Sequence, residues 1–207
     1  MKAATLSDAR QELVRGRVLE GVAAVLGRGI DLTYANVAAA AAVPERTLYR
    51  HFPTREALLN AVFHWANERI GFRGELPRDE AALAALVRRV FPGFDALAPV
   101  IRELLIAPEG RLARLASKAQ RQQASLELVR REVDGLDRAS ARRLAALLQL
   151  LTAAATWQTL RDYWDMTGEE AAESAALAIE LLLAGARAKA KRQPTGHKAR
   201  SRRKDAL

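Results

Sequence analysis

Apolar residues recur every three or four positions along nearly the whole chain, and no run alternates long enough to read as a half-buried strand. That spacing gathers them on one side of an α-helix and predicts an all-α fold. Composition agrees, because half of the 207 residues are hydrophobic but only 5% are aromatic, and Ala and Leu dominate. Such a mixture suits helix packing better than a sheet rich in β-branched and aromatic residues. At roughly 100 to 200 residues per domain, the chain holds one domain or two small ones.

Start and stop signals divide the chain. A first helix over 10–27 carries Leu13, Val14, Val18, Val22, Val25 and Leu26 on one side and stops at Gly27 and Gly29. Thr33 caps a two-turn helix through Ala41, and after Ala42 and Val43, Pro44 opens a second short helix to about Arg50. From Thr54 a long helix runs to about Gly71, with Leu58, Leu59, Val62, Phe63, Ala66 and Ile70 as a broad apolar face, and is expected to join two domains. Past a linker at 74–77, helices are expected at about 79–91, 95–107, 110–133, 138–166 and 168–190, separated by Pro92-Gly93, Pro108, Asp134-Gly135 and Thr167-Gly168. Pro99 is expected to kink or shorten the second of these.

Lysine and arginine number 33 against 24 acids, a net charge of +9 and a pI near 10.6, which makes a polyanionic partner worth seeking. The charge is uneven: residues 187–207 hold nine basic residues and one acid, Asp205, for +8, leaving +1 for everything before them. The stretch 191–207 is too polar to pack and is expected to be a disordered basic tail, either a solvated extension or an arm that adds phosphate contacts on DNA. With no cysteine, disulfides, thiolate metal sites and a cysteine nucleophile are excluded. The first residues lack the apolar segment of a secretory leader. The longest apolar stretch, 144–157, is broken by Gln149 and two threonines and falls short of the roughly 18 to 20 residues of a membrane span. A cytoplasmic chain without membrane attachment is expected.

Catalysis has little to stand on. There is no Gly-rich phosphate loop, no nucleophile elbow, no Cys/His ligand pattern, and only three histidines. His64 and Glu68 share a helix face, but two ligands do not make a metal site and an i,i+4 pair is more simply a surface hydrogen bond. No enzymatic activity, metal or cofactor is expected.

The informative stretch is LTYANVAAAAAVPERTLYRHFPTREALL, 32–59, which sets two short helices across a tight turn beside a longer helix. That is a helix-turn-helix plan, whose second helix lies in the DNA major groove with its N-terminal side chains at base edges. Arg46 can make a bidentate contact to guanine, Thr47 offers a hydroxyl and a methyl, and Tyr49, Arg50 and His51 can hold phosphates or read edges, while Leu48 and Phe52 should face inward. Free N–H groups and the helix dipole at a first turn also suit a phosphate, so Thr33, Tyr34, Thr54 and Arg55 are candidate backbone clamps. Taken without regard to order, the same residues would equally make a pair of amphipathic helices with Tyr49, His51 and Phe52 at a corner.

In fixed order, Thr33, Val37, Ala38, Val43, Thr47, Leu48, Tyr49, His51, Phe52, Arg55, Glu56 and Leu58 match the signature of the TetR family of bacterial transcription regulators, which the chain resembles over roughly 12–60. The family usually has Gly where this chain has Ala42 and often Ser where it has Pro44. Pro44 suits a helix start, whereas Ala42 would be strained at positive φ. The resemblance implies a DNA-binding domain over 1–53, a ligand-binding and dimerisation domain over 54–190, and the basic tail beyond. It also implies a homodimer, formed through the last two long helices, that binds a palindromic operator as a repressor and leaves it when a small effector binds.

The carboxy-terminal residues fit the dimer in part. In the expected helix 138–166, one stripe holds Leu144, Leu147, Leu151 and Ala155 and another Leu150, Ala153, Trp157, Leu160 and Trp164, so it must be covered on both sides. The next helix sets Leu177, Leu181 and Ala184 beside Ala178, Leu182 and Gly185. Gln122, in the stripe of Leu115, Ala119, Leu126 and Val129, and Gln158, continuing that of Leu144, Leu147 and Leu151, put amides where apolar residues are due and are candidate ligand contacts, or else satisfy a neighbouring polar group. Trp65, Phe91 and Trp157 are further candidates for a largely apolar pocket, or else core filler. The rival to a regulator is an architectural or membrane-surface protein that uses the basic tail without ligand control.

Overall fold

The computed structural model describes residues 6–72, 74 and 76–192; of the expected tail, 193–207 lie outside the described residues. Among the described residues there are eleven helices and no strand. They are α1 Leu6–Gly27, α2 Tyr34–Ala41, α3 Glu45–His51, α4 Arg55–Arg69, α5 Glu80–Ala96, α6 Ala98–Ile106, α7 Pro108–Leu115, α8 Lys118–Glu132, α9 Arg138–Leu151, α10 Ala154–Trp164 and α11 Gly168–Arg192. The first three helices form a helix-turn-helix domain, and α4 runs from it into a helical body.

Two of the expected long helices are broken. The 110–133 helix is split at Ala116 and Ser117, where Arg121 donates to the Arg114 carbonyl while Arg114 donates to the carbonyls of Leu104 and Leu105. The Arg121 guanidinium thus takes a carbonyl at the end of α7 that a continuing helix would use itself, while Arg114 ties α7 back to the end of α6. The 138–166 helix is split at Thr152 and Ala153, where the Thr152 hydroxyl donates to the Gln149 carbonyl at 2.9 Å and the Thr156 hydroxyl to that of Leu150 at 2.6 Å. Threonine side chains competing for helical carbonyls are a known source of such breaks. The apolar stripes read straight through these two points therefore do not exist as continuous faces.

Proline acts the other way at Pro92, which lies inside α5 instead of ending it. The helix runs four residues further, and in that extension Gly93 lets the end of α4 come close: a Cβ there would sit 2.8 Å from the Ile70 Cα. Pro99 falls in the first turn of α6, where its missing N–H is no loss, and shortens that helix from its amino end.

The body is organised by α5 and α11, which pack against each other in antiparallel fashion: Arg88 pairs with Glu173 at 2.7 Å, and Arg187 with Glu80 at 2.8 Å and with Glu132 of α8. At the other end Asp95 binds three groups. Its Oδ1 accepts from Trp157 Nε1 at 2.8 Å and Arg161 at 2.6 Å, and its Oδ2 accepts the Gly168 N–H at 2.5 Å. Beneath it Phe91, Phe94 and Trp157 form a ring cluster with centroids 5.6 Å apart, and Phe91 and Trp157 are wholly buried. No helix among the described residues is long and apolar enough to cross a membrane.

Gly168 lies against backbone. A Cβ there would come within 2.6 Å of the Phe91 carbonyl and 2.8 Å of the Pro92 Cα, so Gly168→Ala is expected to destabilise the chain by about 1–3 kcal/mol through overpacking. Gly16, in α1, has nothing within 4 Å of its Cβ position, and Gly16→Ala should stabilise by about 0.5–1 kcal/mol. Urea unfolding of the two variants should give opposite signs.

Candidate nucleic-acid interface

Thr33 caps α2 as expected, and Thr54, expected to begin the long helix, caps α4. The Thr33 hydroxyl oxygen accepts the Asn36 N–H at 3.2 Å at the start of α2, and that of Thr54 accepts the Ala57 N–H at 3.1 Å at the start of α4. Asn36 adds a side-chain bond to the Asp31 carbonyl at 2.9 Å, fixing the approach to α2. Each hydroxyl accepts in its cap and keeps its own hydrogen for an outside acceptor.

The turn between α2 and α3 is left-handed at Ala42, with φ 51° and ψ 48°. There the Ala42 N–H donates to the Ala39 carbonyl and the Val43 N–H to the Ala38 carbonyl, closing the helix. Arg17 of α1 donates to the Ala42 carbonyl at 3.2 Å from the outside. Gly21 makes the close crossing of α1 and α2 possible, since a Cβ there would lie 3.0 Å from that of Ala41. Pro44, at φ −61°, precedes Glu45 as the residue that starts α3.

α3 divides as its sequence predicts. Leu48 and Phe52 are buried, and the guanidinium of Arg15 lies 5.0 Å from the Phe52 ring centroid. Arg46, Tyr49 and Arg50 are exposed, and Thr47 and His51 are half-buried. The exposed side of α3 therefore offers two guanidiniums and a phenol, with the capped N-termini of α2 and α4 nearby in the chain.

Tyr34 and Arg55 are turned inward instead. The Tyr34 hydroxyl donates to the Phe52 carbonyl at 2.8 Å, and its ring stacks on Tyr49 with centroids 4.4 Å apart. Burial, with Tyr49 next in effect, pushes the Tyr34 phenol above its ordinary value, against a smaller opposing effect of Arg55, so it stays a donor. Its one proton is committed to Phe52, which leaves none for a phosphate oxygen. Arg55 donates to the Leu32 carbonyl at 2.9 Å and to Glu103 of α6 at 2.6 Å. The contacts of Arg15, Arg17 and Arg55 join residues far apart in sequence, and no local pattern marks them.

The residues expected at a ligand site are scattered. Phe91 and Trp157 meet in the closed ring cluster, Trp65 is half-buried on α4 with the Arg69 guanidinium 4.9 Å from its ring centroid, Gln158 is half-buried on α10, and Gln122 is exposed on α8. Two clefts open on the body. One of about 410 Å³ lies among α5, α8 and α11 and includes Glu80, Arg88, Glu132 and Glu180; the other, about 550 Å³, lies at the α10–α11 corner beside Trp164 and Met166. None of the five residues lines either cleft. No group of three or more His, Cys, Asp or Glu that could hold a metal ion occurs among the described residues.

Residues 19–62 match the family model of bacterial regulatory proteins, tetR family. A crystal structure described as the multidrug binding protein EbrR complexed with imidazole shares the fold, with a TM-score of 0.51 over 81% of this chain and 93% of its own, at 22% sequence identity. No curated protein matches the chain.

A non-glycine residue in the left-handed region is strained by roughly 1–2 kcal/mol, so Ala42→Gly is expected to raise unfolding free energy by about 1 kcal/mol after the entropy that glycine adds to the unfolded chain. Urea unfolding checks it; a loss of stability would mean that the turn carries no such strain.

Proposed function

Because the chain belongs to the TetR family of bacterial regulatory proteins, we propose that it is a transcriptional repressor that binds a palindromic operator as a homodimer and is released by a small, largely apolar effector. The observation that carries this reading is α3, whose exposed Arg46, Tyr49 and Arg50 stand clear of a buried Leu48 and Phe52. In the proposal Arg46 and Thr47 read base edges, Tyr49, Arg50 and His51 contact edges or phosphates, and Thr33 and Thr54 hold phosphates at helix N-termini. Tyr34 supports them by fixing the end of α3. The head is residues 1–53, the body 54–190, and the place of action the cytoplasm, with no chemistry performed on the ligand.

Dimerisation is supported by apolar side chains left in water on the last helices. Leu147 and Leu150 of α9 are exposed, as are Leu177 and Leu181 of α11 at 56% and 63%. A single chain gains nothing by exposing four leucines on neighbouring helices, whereas a twin would cover them. A two-fold pair also suits reading heads about 34–36 Å apart on successive major grooves.

For the effector, the name of EbrR ascribes multidrug binding to that protein, and the shared fold makes a similar property reasonable here. Trp65 and Gln158 are half-buried and are proposed to contact such a ligand. Phe91 and Trp157 become available only if the ring cluster opens, and Gln122 only if α8 turns.

Selection of bound DNA from a random pool with the full-length protein tests the reading. A palindrome is the expected outcome, and Arg46→Ala should then relax preference at one position, losing about 1–3 kcal/mol of discrimination there. Leu177→Glu with Leu181→Glu should yield monomers by sedimentation and weaken operator binding. DNA retained without any motif, and lost as salt rises, would favour the architectural protein instead.

A further inference from the structure

Arg55 sits where the reading head meets the body. It is the first residue of α4, and its three nitrogens face three segments. Nη1 donates to the carbonyl of Leu32, the residue before the Thr33 cap of α2, at 2.9 Å. Nη2 donates to Glu103 Oε1 of α6 at 2.6 Å, and Nε lies 3.8 Å from Glu109 Oε2 in the first turn of α7. The Glu103 side chain is only 17% exposed, and the helix around it buries Ile101 and Leu104. A carboxylate so shielded needs a partner, and Arg55 is the one that reaches it.

A phosphate clamp at this position would need the guanidinium to point at DNA. Here each terminal nitrogen gives one N–H to a protein oxygen, one in the head and one in the body, which fixes the plane of the guanidinium. The planar fork is what allows the two bonds together; a lysine ammonium carries the same charge but does not present two donors in that fixed geometry.

We propose that Arg55 is a positioning residue, which sets the helix-turn-helix against the body by tying the α2 cap at Leu32 to Glu103 of α6, and is not a phosphate contact. The proposal rests on the DNA-binding reading given above and adds the route by which the body controls the head. A change in α6 or α7 that draws Glu103 away removes the restraint on the start of α2, and the recognition helix loses its set orientation.

The sign of the Glu103 variant separates this role from a clamp. Glu103→Gln removes a negative charge from a DNA-binding protein and frees the guanidinium, so electrostatics alone would leave DNA binding unchanged or tighter. A positioning role makes it weaker. Operator affinity of full-length protein is measured by fluorescence anisotropy on the selected operator at several salt concentrations, with a thermal midpoint for each variant. Arg55→Lys and Glu103→Gln are each expected to lower operator affinity about 5- to 150-fold, the range of a typical coupling between sites. The slope of log K against log salt should stay as in the wild type, and the double variant should be no worse than the weaker single one.

The proposal is overturned if Arg55→Lys binds like the wild type, if Glu103→Gln binds as well or better, or if Arg55→Gln reduces the salt slope by about 0.9, the value of one lost phosphate contact. Should Glu103→Gln fail to fold, Arg55→Lys decides alone, since it keeps the charge and the apolar stem. A wild-type protein with no operator overturns the DNA-binding reading itself and the proposal with it, whereas failure of the variants alone leaves that reading standing.

Discussion

The carboxylate of Asp95 is the point on which the body depends. It takes hydrogen bonds from the indole of Trp157, the guanidinium of Arg161 and the backbone N–H that begins α11. Asp95 is half-buried near the carboxy-terminal end of α5, and both of its oxygens are used. Because those donors come from α10 and α11, satisfying Asp95 requires three helices to meet in one arrangement. Loose helical bundles of Ala and Leu can slide past one another; this one is pinned at its α5 end by directional bonds. The absence of a side chain at Gly168 lets α11 come close enough for its N–H to reach.

From that pinned end the order propagates to α4. Gly93, two residues before Asp95, receives Ile70 at the carboxy-terminal end of α4, and Gly71 lies against the Arg89 side chain. The amino-terminal end of α4 is held separately, by Arg55 on Glu103. At 1.5 Å per residue, 15 residues make a rod of roughly 22 Å, fixed to the body at both ends and carrying the helix-turn-helix at one of them. A shift in α5, α6 or α7 therefore acts on a helix that touches the body at both ends.

How much of this was legible in the sequence follows from how local each feature is. The caps at Thr33 and Thr54, the inward Leu48 and Phe52, and the strain at Ala42 are all decided within four residues, and each was readable from spacing and residue type. The breaks at 116–117 and 152–153 were not, because at 116–117 the Arg121 side chain takes the Arg114 carbonyl, and at 152–153 threonine hydroxyls take those of Gln149 and Leu150, which no periodicity registers. Pro92 is read from sequence as a stop, yet α5 continues through it, and the glycine after it meets Ile70, a partner 23 residues upstream. Gln122 and Gln158 are placed by stripes that run across the two breaks, so the faces they interrupt are divided between α7 and α8 and between α9 and α10. Tyr34 and Arg55 were correctly placed beside the helix starts. The partners that turn them inward, Phe52 and Glu103, are 18 and 48 residues away.

Under the proposed function, those two inward turns have one physical consequence for how the head is controlled. Were every cation of the head free to meet phosphate, affinity would depend mainly on charge, and the body would have little hold on it. With Arg55 committed to a carboxylate of the body and Tyr34 to the end of α3, part of the head's polar chemistry serves geometry instead. Geometry is what a ligand in the body can alter, since a ligand shifts an equilibrium only by the difference in its affinity for two arrangements. A head held by directional bonds has a second arrangement available when one of those bonds is withdrawn. A head held by charge alone would lose affinity with salt but would respond little to an uncharged ligand.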